Sequence, residues 1–165
     1  MRTNMKNINA DFTCNNCGRY VSANTIVSGV VHRNHCPYCL RSRHVDLFEA
    51  GDRLCACKSL MAPVGLTLKR SQDKYASQRG GEVMLVHRCT YCDEIAINRI
   101  AADDDPAKIL ALIKKDGSGL QKIRNFCKDQ GIYLLDSGDR EPVLTGLFGK
   151  TGLEVYENNL ITQTI

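Results

Sequence analysis

A small metal-bound β fold, made of two zinc-ribbon-like units and followed by a small α+β C-terminal extension, is what three features of this 165-residue sequence predict. Nine cysteines are present, and six of them fall in three C-x-x-C pairs, Cys14/Cys17, Cys36/Cys39 and Cys89/Cys92, with Cys55 and Cys57 between the second pair and the third. The stretch between the first two pairs is short and strand-like. Aromatic content is 6%, tryptophan is absent and mean hydropathy is −0.26, so the cysteine-rich part has little apolar core and bound metal must replace it.

Eighteen residues separate Cys17 from Cys36. That interval suits a strand-like excursion that returns the second knuckle to the first, so Cys14, Cys17, Cys36 and Cys39 form the four-thiolate set of a structural zinc site. The competing reading of the cysteines is a disulfide framework. The N-terminal run Met1 to Lys6 is polar and leads into no apolar segment, so no secretory signal is visible and a cytoplasmic, reducing compartment is expected. No apolar run approaches the length of a membrane span, and no membrane partner is expected.

Residues 1–10 read as an N-terminal arm and residues 11–105 as the tandem ribbon domain. Asp11 to Val21 enters a zinc knuckle at Cys14, with Gly18 supplying a permissive backbone. The β-branched stretch Thr25 to His32 suits a strand that delivers the chain to Cys36-Pro37-Tyr38-Cys39. After the turn Gly51-Asp52-Arg53, the run Leu60 to Leu68 alternates like a strand, and Glu82 to His87 has strand composition. Pairing of these two would bring Cys55 and Cys57 beside Cys89 and Cys92 as a second ribbon. Its firm ligands are Cys57, Cys89 and Cys92. A fourth could be His87, giving three thiolates and one imidazole, or Cys55, giving four thiolates; spacing alone leaves the choice open.

Charge is unevenly placed. Residues 1–101 carry fourteen Lys/Arg against eight Asp/Glu, a balance of +6, and residues 102–165 carry eight against ten, a balance of −2. A basic ribbon suits a phosphate backbone, and Arg33, Arg41, Arg43, Lys69, Arg70, Arg88 and Arg99 are the candidate nucleic-acid contacts. Arg33 could instead reach an acid such as Asp46 or Asp52.

The run Arg33-Asn34-His35-Cys36-Pro37 spells the motif of the RNHCP domain family, and the sequence resembles that family onward through Cys39, Ser42, His44-Val45-Asp46, Gly51-Asp52-Arg53, Cys57, Met61, Pro63, His87-Arg88-Cys89, Cys92 and Asn98 to Asp104. The resemblance spans roughly residues 10 to 105. It implies a small zinc-ribbon protein linked to ribosomes or their assembly, and it favours His87 over Cys55 as the fourth ligand. Two departures stand out. Cys57-Lys58-Ser59 lacks the glycine expected before Met61, and Asp93 replaces a glycine after Cys92.

Beyond the resemblance, residues 106–165 form the extension. Asp105 reads as the N-cap of a helix with Pro106 in its first position and Ile109, Leu110 and Ile113 on one face. A second amphipathic helix carries Leu120, Ile123, Phe126 and Cys127 and ends at Gly131, which makes Cys127 a buried apolar residue and not a ligand. Ile132 to Leu135, Val143 to Phe148 and Leu153 to Tyr156 read as short strands. Gly149-Lys150-Thr151 is not a phosphate-binding loop, since the earlier glycine of that motif would fall at Leu144.

The expected function is that of a non-enzymatic zinc-ribbon protein with two Zn²⁺ ions that binds RNA, ribosomal RNA above all, as a ribosome-associated component or assembly factor with ribosomal proteins as neighbours. A protein-binding adaptor of a transcription or assembly complex is the alternative. Asn34-His35 is superficially similar to the signature of an HNH nuclease, but thiolates that close a site leave no open position for catalysis.

Overall fold

The computed structural model describes residues 9–69, 81–113, 118–149 and 152. Residues 1–8 of the expected N-terminal arm, Arg70 and most of the polar loop before Gly81 lie outside the described residues, as does the strand expected at Leu153 to Tyr156.

The chain opens with a two-stranded antiparallel ribbon, β1 (Phe12–Thr13) with β2 (Tyr20–Val21). A four-stranded antiparallel sheet follows in the order β3 (Ser42–Arg43), β4 (Leu60–Lys69), β5 (Glu82–Cys89) and β6 (Ile95–Arg99). As expected, the two long strands pair, with Leu66 opposite Leu85 and Met61 opposite Cys89. The register shifts between Pro63 and Gly65, so Val64 is the residue of a bulge. Proline is tolerated at position 63 because β3 ends its pairing at Met61 and leaves that side of β4 without a neighbour.

Successive side chains of β5 serve opposite faces of the sheet. Val83 and Leu85 join Leu40, Leu66, Ile109, Leu110, Leu112 and Ile113 in one buried cluster, which also holds Val143 and Leu144. The covering helices are α2 (Pro106–Ile113) and a helical run over 140–149, here α4. Val86 belongs to the other face, packed with Ile95, Cys127 and the half-buried Ile123, Phe126 and Leu134, so α3 (Ser118–Asp129) closes the layer on that side. At Gly65 a Cβ atom would stand 3.1 Å from Leu134, an approach that only glycine leaves comfortable. Asp105 caps α2 as expected, its Oδ1 accepting the Ala107 N–H at 3.0 Å.

Two expected strands are helices. Thr25–Ser28 is a short helix, α1, because Asn24 Oδ1 accepts the Ile26 N–H and Gly29, at φ 69°, ends the turn; local capping outweighs the β propensity of Thr25, Ile26 and Val27. Residues 140–149 are helical too, following a turn at Ser137–Asp139 that Asp136 opens with a capping box. The spacing of Val143, Leu144, Leu147 and Phe148 is that of one helical face. Residues 132–135 form neither helix nor strand. Leu135 N–H donates to the Leu66 carbonyl and the Thr67 hydroxyl to the Tyr133 carbonyl, each at 2.8 Å. Among the described residues the extension is therefore helical rather than α+β.

Candidate metal centres

The three C-x-x-C pairs are one backbone device used three times. The N–H of the first cysteine donates to the carbonyl five residues on: Cys14 to Arg19 at 2.9 Å, Cys36 to Arg41 at 2.9 Å and Cys89 to Glu94 at 2.8 Å. The residue after the second cysteine is left-handed in each, Gly18 at φ 72°, Leu40 at 58° and Asp93 at 64°. This conformation turns the chain so that both thiols face inward. Glycine enters it freely and aspartate at modest cost, whereas Leu40 is held there by its burial in the sheet core. The glycine missing at position 93 thus leaves the knuckle intact.

The first two knuckles meet. Cys14 Sγ is 3.6 Å from Cys39 Sγ, and Cys17 Sγ is 3.6 Å from Cys36 Sγ. Two sulfurs on a tetrahedral zinc at about 2.3 Å would stand roughly 3.8 Å apart. All nine cysteines are free thiols, so no disulfide competes. Cys14, Cys17, Cys36 and Cys39 place their sulfurs within 4.8 Å of one another and could hold a metal ion.

A second cluster joins His44, Cys57, Cys89 and Cys92, again with ligand atoms within 4.8 Å. Cys57 Sγ lies 3.6 Å from Cys89 Sγ, and His44 Nδ1 lies 3.2 Å from Cys92 Sγ. The imidazole comes from His44, where His87 was expected. Short β3 is the cause. Ser42 pairs with Met61 and Arg43 with Leu60, and the next residue, His44, exchanges backbone bonds with Lys58 and Ser59 and so stands beside Cys57. His87 is two residues before Cys89 on β5, about 7 Å back along the strand. Its ring is fully buried, with Nε2 donating to the Leu40 carbonyl at 2.6 Å and Nδ1 facing the Asn98 amide at 2.9 Å. Burial and the nearby His35 hold its pKa down to about 3. Cys55 is buried, donates its N–H to Val45 and takes no part in the cluster.

Without metal the thiols of the clusters differ. The Ser59 hydroxyl and N–H draw Cys57 down to about 6, while burial pushes Cys36 up to about 12. Cys14, against the cost of burial, is brought to about 7 by the N–H groups of Cys17 and Asn16.

The residues around the second knuckle tie it to the far end of the sheet. Arg33 is buried, and its Nη1 pairs with Asp103 at 2.8 Å, not with Asp46 or Asp52. His35 Nε2 donates to both oxygens of buried Asp104, at 2.8 and 3.0 Å, and Asp104 also accepts the Ala101 N–H at 2.8 Å. The Asp105 N–H reaches the Pro37 carbonyl inside the knuckle. Asp46 instead faces Arg53, and Asp52 accepts four backbone N–H groups of its own turn. Residues 101–105 are thus a strap across the Cys36–Cys39 knuckle, an arrangement no local pattern announces.

The expected nucleic-acid contacts fare unequally. Arg33 is withdrawn from the outer surface by its acids. Arg88 pairs with Asp93 at 2.9 Å and lies over the Phe126 ring, and Arg99 pairs with Glu82 at 3.1 Å. Arg41 and Arg43 are half-buried, Lys69 is exposed and Arg70 lies outside the described residues. Sequence reasoning passed over Arg19 as a contact, although it is exposed with its guanidinium 4.7 Å from the centre of the exposed Tyr38 ring.

The model of a protein family described as the RNHCP domain matches residues 9–110. No curated protein and no solved structure matches the chain. No helix among the described residues is long and apolar enough to cross a membrane.

Proposed function

Since the chain belongs to the RNHCP domain family, we propose that it is a non-catalytic zinc module that binds structured RNA, as a ribosome-associated component or assembly factor in the cytoplasm. One observation carries this reading: Tyr38 and Tyr91 hold the same place in their knuckles, immediately before the second cysteine, and both are exposed, Tyr91 by 82%. Each ring stands on a rigid metal-bound tip, beside Arg19 in the first case. Such rings stack on unpaired bases while nearby cations meet phosphates.

Zinc suits both donor sets, four thiolates in one and three thiolates with an imidazole in the other. A full set of four protein ligands leaves no position for water or substrate, which argues against the nuclease reading. His35, the histidine of the signature, is spent on Asp104. A protein-binding adaptor stays as the second reading because the turn after β3 exposes Leu47, Phe48 and Leu54, Phe48 by 80%.

The test is sedimentation of lysate on density gradients at low and high salt, with binding of zinc-loaded protein to ribosomal RNA fragments measured alongside. Co-migration with a ribosomal particle, and an affinity that falls steeply with salt and drops on Tyr38→Ala with Tyr91→Ala, is the expected result. Migration as free protein at both salts, with fragment binding insensitive to salt and to both tyrosines, would sink the RNA reading and favour the adaptor.

A further inference from the structure

β6 is the last strand of its sheet, with β5 on one side and no strand among the described residues on the other. The Cys89 N–H donates to the Glu94 carbonyl, and the register runs on from there through Arg88 opposite Ile95 to Met84 opposite Arg99. Bonded and non-bonded pairs alternate in an antiparallel ladder. Ala96 and Asn98 are therefore bonded to His87 and Leu85, whereas Ile95, Ile97 and Arg99 turn their N–H and C=O groups away from β5. None of these six groups has a hydrogen-bond partner among the described residues.

Edges of this kind are usually defended by lysine, proline, a bulge or a covering element. β6 has none of the first three: its sequence is Ile-Ala-Ile-Asn-Arg and its register with β5 is unbroken. Its central residue is apolar and open, Ile97 being 39% exposed. Hollows of about 540 and 170 Å³ adjoin the strand, both walled by Ile97 and Asn98; exposed Val31 lines the larger and exposed Phe48 the smaller. A row of donors and acceptors repeating every ~7 Å is matched by another extended peptide backbone.

We infer that β6 is a dimerisation edge, pairing antiparallel with β6 of a second copy of this chain about a twofold axis at Ile97. Self-complementarity selects a second copy as the occupant. The outward residues are symmetric about Ile97, so Ile97 bonds to Ile97 of the other copy and Arg99 to its Ile95, and every open group on both strands finds a partner. No like charges stand opposite each other in this register. Arg99, already paired with Glu82 of its own chain, lies against Ile95, and Asn98 lies against Ala96. The two Ile97 side chains cover one another at the axis, and the two four-stranded sheets become one continuous sheet. Their Cys89–Cys92 knuckles then point to opposite ends of it. The inference stands whether or not the chain binds RNA.

Sedimentation equilibrium of the zinc-loaded full chain from micromolar to millimolar concentration, with hydrogen exchange of single amides at both ends of that range, tests the inference. The mass should rise from the 18.4 kDa of one chain towards twice that. The Ile95, Ile97 and Arg99 amides should gain protection with concentration, while those of Ala96 and Asn98, bonded within the chain, are protected throughout. Ile97→Pro removes one outward donor and leaves the β5 ladder intact, and Ile97→Lys sets two cations face to face at the axis. Each should weaken dimerisation tenfold or more, zinc content and urea midpoint serving as the check on folding, and Ile97→Val should dimerise like the parent. A chain that stays monomeric at millimolar concentration overturns the inference: freely exchanging amides would leave the edge to a strand of a different protein, and amides protected at every concentration would show that the same chain covers it. A dimer that forms with the three amides unprotected, or that both folded variants keep, uses another surface and overturns it equally.

Discussion

His44→Ala and His87→Ala should separate metal binding from packing. His44 supplies the only nitrogen in the second cluster, with Nδ1 3.2 Å from Cys92 Sγ. Its removal leaves three thiolates and lowers zinc affinity at that site by more than the ~10–100-fold that loss of an outer hydrogen-bond partner costs. His87 should behave in the opposite way. Truncating it strands the Leu40 carbonyl and the Asn98 amide, which it meets at 2.6 and 2.9 Å. At about 1–3 kcal/mol per group left unpaired, the loss is about 2–6 kcal/mol. With a urea m-value of about 2 kcal/mol/M, the unfolding midpoint falls by about 1–3 M. The assay is zinc per chain by native mass spectrometry against a competing chelator, with urea unfolding in parallel. His44→Ala should retain one tightly held ion and lose the second first, and His87→Ala should keep two while unfolding earlier. If His87→Ala sheds an ion and His44→Ala keeps both, the assignment of the imidazole is wrong.

Asp104→Ala removes the acceptor of His35 and of the Ala101 N–H from a buried site, while Arg33 keeps Asp103; a loss of about 3 kcal/mol is expected in urea unfolding of the zinc-loaded protein, and a change below 1 kcal/mol would show that the strap is not structural. Asp93→Gly relieves a left-handed backbone at φ 64° and gives up an exposed pairing with Arg88, so its midpoint should stay level or rise by the equivalent of at most about 1 kcal/mol, whereas Asp93→Val should fall by about 1–2 kcal/mol. The His87 ring, held neutral to about pH 3, should show no titration of its nitrogen shifts between pH 7 and 5. Chelation should abolish amide protection first in the ribbon around Cys14 and Cys36, whose apolar cluster is small, and spare β4, β5 and α2, which share the largest cluster; simultaneous loss in hydrogen exchange would contradict that.

Legibility followed the range of the interaction. The thiol sets, the β4–β5 pair, the Asp105 cap and the buried Cys127 were readable because each depends on local spacing or on a single strand's alternation. Thr25–Ser28 misled because a four-residue helix is decided by Asn24 and Gly29, not by the residues within it. Val143 and Leu144 were misread as strand because an apolar cluster of that length suits either period until its partners are known. The fourth ligand was the harder case. His44 is thirteen residues from Cys57 in sequence, and only the two-residue pairing of β3 with β4 makes them neighbours. A histidine beside a cysteine in sequence drew attention that belonged to one beside it across a hairpin.

The signature run gains its sense from that same long-range geometry. Within Arg33 to Pro37 only Cys36 belongs to a cluster that could hold a metal ion. Arg33 and His35 reach seventy and sixty-nine residues onward to Asp103 and Asp104, and the Pro37 carbonyl receives Asp105. These bonds fasten the first metal centre to the residues that follow β6 and open α2, so the two ribbons cannot move independently without breaking buried ion pairs. Holding both tips in a fixed relation is what a surface reading extended RNA would require, and it makes a sharp distinction possible. In Asp104→Ala, each metal site should still fill, because no ligand is touched. RNA affinity should fall with the loss of the relation between Tyr38 and Tyr91, even at temperatures where the zinc content and helical signal are unchanged. If affinity holds while the strap is broken, the two knuckles act separately and the signature serves stability alone.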